Sequence, residues 1–245
     1  MNEIKVGCCG FPIKKEVYFK TFNLVELQNT FYDPDIDSLK KLKENAKNIN
    51  KKFEFIIKAF QVITHEATSP TYRKMKKEFG KKENFGYFKN TEEVFLAWDL
   101  MRNIADLLEA KVILFQTPPS FKEKNENIEN IRNFFSSIKR DSLILVWEPR
   151  GDWHEETLYR ISNELNLVIC NDPFKGKTFG EINYFRLHGK PNYNLRYSYT
   201  INDLEYIKKA CNKKLNYVLF NNFDMFKNAK ELISILKSDQ ETQTL

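Results

Sequence analysis

Eight short apolar runs recur along the chain, at residues 4–8, 24–28, 53–58, 111–116, 143–148, 167–170, 184–188 and 217–221. Seven of them end in polar or charged residues: Gln28-Asn29-Thr30, Lys58, Gln116-Thr117, Glu148-Pro149-Arg150, Asn171-Asp172, Arg186 with His188, and Asn221-Asn222. The first ends instead in Cys8-Cys9-Gly10. Helical patterns fill most of the gaps. Residues 35–48 put Ile36, Leu39, Leu42 and Ala46 at helical spacing behind Asp35. Residues 91–108 open with Thr91 as an N-cap and acids at 92 and 93, then carry an apolar stripe from Val94 to Leu108. Residues 127–138, 155–165, 202–212 and 227–237 behave alike.

Strands alternating with amphipathic helices predict right-handed βαβ units and a parallel sheet. Eight such strands with polar carboxyl ends predict an α/β fold, a single (β/α)8 TIM-like barrel with its site at the top face. The length of 245 residues matches one such barrel. Residues 1–237 are expected to form the barrel and 238–245 a polar, frayed tail. Two connections depart from the pattern. Residues 9–23 leave room for a curtailed first helix, one turn around 15–20. Residues 61–90 form a long insertion after strand 3, rich in Lys, Phe and Tyr, of the kind that serves as a lid or binding loop.

Charge changes this picture next. The net charge is +6, and the pI is near 8.9. Residues 73–82 concentrate it. This balance favours an anionic small molecule or nucleic acid as partner; the alternative is a solvated lysine face. No stretch approaches the roughly 18 apolar residues of a membrane span, so no membrane partner is expected. Met1-Asn2-Glu3-Ile4 runs directly into a strand, which predicts no signal peptide and a cytoplasmic location. Cys8, Cys9, Cys170 and Cys211 show no CxxC spacing and read as reduced apolar residues, with Cys8 and Cys170 at strand ends where a thiol could face the site.

Strand alternation then selects the candidate chemistry. A charge turned toward the apolar helix layer is costly, so Glu26, Lys58, Glu148, Arg186 and His188 are expected to point into the barrel. Their opposed charges suit a site with perturbed proton affinities, or a buried ion-pair network. No cofactor is expected. A divalent metal is the alternative, held by some of His65, His188, Glu26, Glu148 and Asp172; against it, Lys58 and Arg186 already neutralise the carboxylates, and HxH and HExxH are absent. Phe31, Tyr32, Trp147, Trp153, Tyr193, Tyr197 and Tyr199, interleaved with Arg150, Arg186 and Arg196, either stack on bases or sugars or seal the loops.

The chain resembles the YecE-like family, domain of unknown function 72, whose fold is a TIM-like barrel. The resemblance rests on Val25-Glu26-Leu27-Gln28-Asn29-Thr30-Phe31-Tyr32, on Lys58 followed by Ile63-Thr64-His65, and on Leu114-Phe115-Gln116-Thr117-Pro118-Pro119-Ser120-Phe121. It continues through Glu148-Pro149-Arg150 with Trp153, Tyr184-Phe185-Arg186-Leu187-His188-Gly189 with Tyr197-Ser198-Tyr199, and Phe220-Asn221-Asn222. It implies Glu26, Lys58, His65, Gln116, Glu148, Arg150, Arg186, His188, Tyr197 and Asn221 as site residues, without an established reaction. The chain departs from the family at Phe11, where the family has Trp, at Gln28 for Asn, and after Glu148, where Pro149-Arg150-Gly151 replaces Phe-Arg-His and leaves His154 as the nearest substitute.

The expected function is an enzyme acting on a phosphate-bearing or nucleic-acid substrate, with hydrolase as the candidate class. Glu26 or Glu148 would be the general base and His188 or His65 the general acid. Lys58, Arg150 and Arg186 would hold the anion, with Gln116, Tyr197 and Asn221 as further contacts. The alternatives are a non-catalytic nucleic-acid or protein binding module, and a metal-independent enzyme on a sugar or small organic acid.

Overall fold

The computed structural model describes residues 2–242. The fold is of the (β/α)8 TIM-barrel class: eight parallel strands in one sheet, in the order β6-β5-β4-β3-β2-β1-β8-β7. In chain order the elements are β1 (Glu3–Cys9), α1 (Lys15–Thr21), β2 (Leu24–Leu27), α2 (Asn29–Tyr32), α3 (Ile36–Ile49), β3 (Glu54–Lys58), α4 (Gln61–Thr64) and α5 (Glu92–Leu108). Then come β4 (Val112–Gln116), α6 (Asn125–Ser137), β5 (Ile144–Glu148), α7 (Glu155–Leu165), β6 (Val168–Ile169), β7 (Asn183–Leu187), α8 (Ile201–Ala210), β8 (Leu215–Phe220) and α9 (Met225–Thr242). The chain divides into two compact units. One holds Met1–Glu26, Asn45–Glu54 and Cys170–Leu245; the other holds Leu27–Glu44 and Phe55–Ile169.

In the first unit β1 lies between β2 and β8, with Cys9 opposite Glu26 and Val6 opposite Val218. Beyond β6, Asn171 forms a parallel bridge with Phe185 of β7. The first helix is short, as expected, but makes seven residues rather than one turn. Tyr18 fixes it: its hydroxyl accepts from the Cys8 N–H at 2.9 Å and donates to the Leu24 carbonyl at 2.8 Å, and burial holds that phenol well above its ordinary pKa. Cys8 turns away from the strand interior, its thiol 3.5 Å from the Met225 carbonyl of α9, so Cys9 takes the inward place expected of it. α9 runs on to Thr242, so residues 238–242 are helical where a frayed tail was expected; residues 243–245 lie outside the described ones.

In the second unit β4 pairs with β3 and β5, bringing Lys58 opposite Leu114 and Gln116 opposite Glu148. The insertion is ordered by α4 and two 3-10 turns, Pro70–Lys74 and Lys82–Asn84. It is pinned by aromatic packing. Phe88 is fully buried, its ring 5.2 to 6.0 Å from those of Phe115, Phe121, Phe134 and Phe135. Thr91 does not cap α5 with its side chain, as its spacing suggests; its hydroxyl donates instead to the Asn84 carbonyl. Glu93 accepts from the Lys81 N–H and the Asn84 amide, which binds the end of the insertion to the helix.

Candidate functional site

The candidate residues fall into two sets, one in each unit, and in both they sit at or just beyond the carboxyl ends of strands. Strand alternation explains their burial. Glu26, Lys58, Glu148, Arg186 and His188 are all at most 6% exposed, as expected of inward positions.

In the first unit, β2 delivers Glu26 and β7 delivers Tyr184 and Arg186, two residues apart and therefore on one face. The Arg186 guanidinium grips the Glu26 carboxylate in a two-pronged pair, Nε to Oε2 at 3.0 Å and Nη2 to Oε1 at 2.8 Å. The Tyr184 hydroxyl donates to Oε2 at 2.7 Å, and the Cys9 sulfur lies 3.6 Å from Arg186 Nη2. Burial, with the Glu26 charge beside it, pushes the Tyr184 phenol well above its ordinary pKa. Both Glu26 oxygens thus receive charge-assisted or phenolic hydrogen bonds, a setting that fixes a carboxylate in place.

His188 follows β7, where Gly189 turns the chain at φ +84. A Cβ at Gly189 would fall 1.9 Å from the Asn194 carbonyl oxygen, so the turn requires glycine. The His188 Nδ1 lies 3.1 Å from the Arg186 carbonyl, and its ring stacks on the exposed Tyr193 at 4.4 Å. Asp172 ends the β6 segment. Its Oδ1 accepts from the Phe174 N–H at 3.0 Å, while Oδ2, in a residue 4% exposed, meets no partner among the described residues. Burial raises its pKa. Tyr197 serves the start of α8: its hydroxyl donates to Asp203 at 2.6 Å, alongside Lys190 and the Thr200 cap. Burial opposes ionisation of Asp203, yet these donors bring its pKa down to about 2. Asn221 is half-buried and donates its N–H to Leu187; the fully buried neighbour Asn222 binds the Tyr197 carbonyl and Asn228.

In the second unit, Lys58, Gln116 and Glu148 end the adjacent strands β3, β4 and β5. The Thr30 hydroxyl clamps Lys58 through its backbone, donating to the carbonyl at 2.8 Å and accepting from the N–H at 3.2 Å. The Lys58 ammonium lies 4.0 Å from the centre of the Phe31 ring. Arg150 Nη2 pairs with Glu148 Oε1 at 2.8 Å. His65, just after α4, packs edge-on against Phe31 and has Nδ1 2.8 Å from the Thr64 hydroxyl. Burial, then the Lys58 charge, drives its pKa down to about 3, so the imidazole is neutral at ordinary pH.

His154, the nearest substitute for the family's third residue after the glutamate, lies at the surface. Its side chain is 86% exposed and its Nδ1 meets Glu123 at 3.1 Å. Trp147 and Trp153 pack on each other and on Phe121, which leaves Trp147 fully buried and sealed rather than open to a ligand. Sequence reasoning missed Cys9 and Tyr184 as partners of the charged pair. The parity that placed Arg186 also places Tyr184, and the strand register places Cys9 beside Glu26. Among the described residues, no group of three or more His, Cys, Asp or Glu side chains is arranged to hold a metal ion.

Fold and site together define an α/β protein of the TIM-barrel type with buried charged residues at the carboxyl ends of its strands. The chain belongs to the family described as Protein of unknown function DUF72, which it matches over residues 14–245. Among solved structures it is similar to a DUF72 family protein from Enterococcus faecalis V583, with 17% identity, a TM-score of 0.72, and coverage of 97% of this chain and 98% of that one. A DUF72 family protein from Thermotoga maritima MSB8 gives 19% identity and a TM-score of 0.65 over 96% and 100% of the two chains. A xylose isomerase domain containing protein from Salmonella typhimurium LT2 gives 14% identity and a TM-score of 0.56 over 97% and 96%. At these identities the likeness is one of fold. No curated protein matches the chain in sequence.

Proposed function

We propose that this protein is an enzyme acting on a phosphate-bearing substrate, a nucleotide or nucleic acid, by general acid/base chemistry. One observation carries the reading: Lys58, Gln116 and Glu148 end the adjacent strands β3, β4 and β5 in a single unit, with Arg150 paired to Glu148 and a neutral His65 just after α4. Lys58 and Arg150 supply the positive charge that a phosphoryl group needs. Glu148 is the base, its carboxylate held 2.8 Å from Arg150. In the tautomer in which Thr64 donates to Nδ1, His65 carries its ring proton on Nε2 and serves as a neutral hydrogen-bond donor to a developing oxyanion. Glu26, gripped by Arg186 and Tyr184, positions its arginine. Arg150 already balances Glu148, which favours chemistry without a metal. Four buried free thiols fit work in the reducing cytoplasm.

The test is turnover of a chromogenic phosphodiester and of a single-stranded oligonucleotide by the wild type and by Glu148→Gln, each with and without EDTA. The substitution is expected to lower turnover about 10²- to 10⁴-fold while binding persists, and EDTA to change nothing. Unchanged turnover in Glu148→Gln sinks the role of that residue. Binding with no turnover in either protein points to a non-catalytic binding module.

A further inference from the structure

The insertion after β3 carries most of the protein's excess charge. Residues 73–82 contain the cations Arg73, Lys74, Lys76, Lys77, Lys81 and Lys82 and the single acid Glu78, so five of the chain's six net positive charges fall in ten residues. All six cations are exposed. Among the described residues none pairs with a carboxylate within 4.0 Å. Lys74 lies over the Tyr32 ring, and Lys77 donates to the Pro34 carbonyl. These cations are therefore still available to a polyanion.

The same segment encloses a hollow of about 580 Å³. Its apolar floor is Tyr72, Met75, Phe79 and Phe85, and Lys76, Lys77 and Lys82 stand on its rim with Glu78 and Glu83. Tyr72 and Phe85 stack at 5.7 Å and 22°. The hollow is fastened to the end of β3: Phe79 packs edge-on against Phe60 at 5.2 Å, and the Tyr72 hydroxyl donates to the His65 carbonyl at 2.8 Å. The hollow thus meets the rest of its unit at Phe60 and His65.

A small phosphate would engage one or two of these lysines and leave the aromatic floor unused. A duplex would meet the lysines with its bases stacked away from the hollow. A single strand uses both features, since its phosphates follow a cationic track while an unstacked base lies on an aromatic surface. We propose that this face of the insertion is a docking site for single-stranded nucleic acid, with a base entering the Tyr72–Phe79–Phe85 hollow and the flanking phosphates held by the lysines. The proposal rests on the phosphate-bearing-substrate reading for its partner class, and it fails separately from it.

The experiment is fluorescence anisotropy with a labelled oligothymidylate of about 20 nucleotides, over a series of salt concentrations. It compares the wild type, the triple variant Lys76→Gln, Lys77→Gln, Lys82→Gln, and Phe79→Leu, which keeps apolar volume while removing the ring. The triple variant, altered only at exposed positions, is expected to bind at least tenfold more weakly and to flatten the salt dependence by about 2 units of slope. Phe79→Leu is expected to weaken oligonucleotide binding about fivefold or more while leaving heparin binding unchanged. Wild-type binding by the triple variant overturns the proposal. So does a Phe79→Leu variant with unaltered oligonucleotide affinity, which would mark a plain polyanion patch. Turnover of a small phosphodiester without oligonucleotide binding overturns it and spares the enzymatic reading. Insertion-dependent binding alongside a Glu148→Gln variant with unimpaired turnover does the reverse.

Discussion

Glu26 and Glu148 both end up buried beside an arginine, and their surroundings give them different work. Glu26 takes a two-pronged guanidinium and a phenol on its two oxygens, whereas Glu148 is held by Arg150 through Oε1. Removing one partner of a buried pair strands the other charge, typically at about 3–5 kcal/mol, so Arg186 and Glu26 are residues on which folding depends. His65 makes the sharper test. Its pKa is about 3 in the folded protein, against roughly 6.5 in an unfolded chain. Between those values the unfolded state binds more protons, so stability rises with pH across the window and is lost as the solution is acidified below about 6.5. From pH 7 to pH 5 this amounts to at most about 2 kcal/mol. Urea unfolding at the two pH values should show the wild type losing more stability than His65→Gln. Equal losses would mean that His65 is protonated without penalty in the fold.

At the scale of elements, the strands were legible to within a residue or two because alternation and polar ends mark them directly. β6 is the shortest, Val168–Ile169, one residue in from each end of the predicted run, and Asn171 carries the pairing on through its bridge to Phe185. The insertion could be seen as a long segment rich in Lys, Phe and Tyr, but not how it is held. Its order depends on distant partners: three successive left-handed residues, Gly86, Tyr87 and Phe88 at φ 86, 56 and 54, deliver Phe88 into its aromatic cluster. Such conformations cost roughly 1–3 kcal/mol each outside glycine, and burial of Phe88 offsets them. Gly86 has no room for a side chain, since a Cβ would lie 2.3 Å from the Glu66 nitrogen, and its own N–H reaches the Val62 carbonyl at 2.8 Å. Gly86→Ala should therefore loosen the insertion from α4. The expected signs are a lower melting temperature and faster trypsin cleavage within residues 73–82, read by mass spectrometry. An unchanged cleavage rate would mean that the left-handed run is not what holds the segment.

At the scale of the molecule, the two ends of the strands carry polar residues for different purposes, and the sequence shows only one of them. The carboxyl ends stood out because charged residues interrupt apolar runs. The amino ends hid theirs in short asparagines and lysines that read as ordinary loop composition. In the first unit Asn216, fully buried, accepts from the Asn183 amide at 2.9 Å and donates to the carbonyls of Glu3 and Lys213, while Lys5 pairs with Glu54 at 2.6 Å. These hydrogen bonds and the ion pair tie the strand starts to one another, in keeping with the stabilising role of that end in this fold class. Asn216→Ala would orphan several buried partners at about 1–3 kcal/mol apiece. It should lower the unfolding midpoint markedly while leaving substrate binding and turnover per folded molecule unchanged. Glu148→Gln should lose most turnover, with a midpoint shift smaller than that of Asn216→Ala because the Arg150 side chain left behind is 18% exposed to water. Measuring midpoint and turnover on the same preparations separates the two ends, and an Asn216→Ala protein that stays as stable as the wild type but loses activity would reverse the assignment.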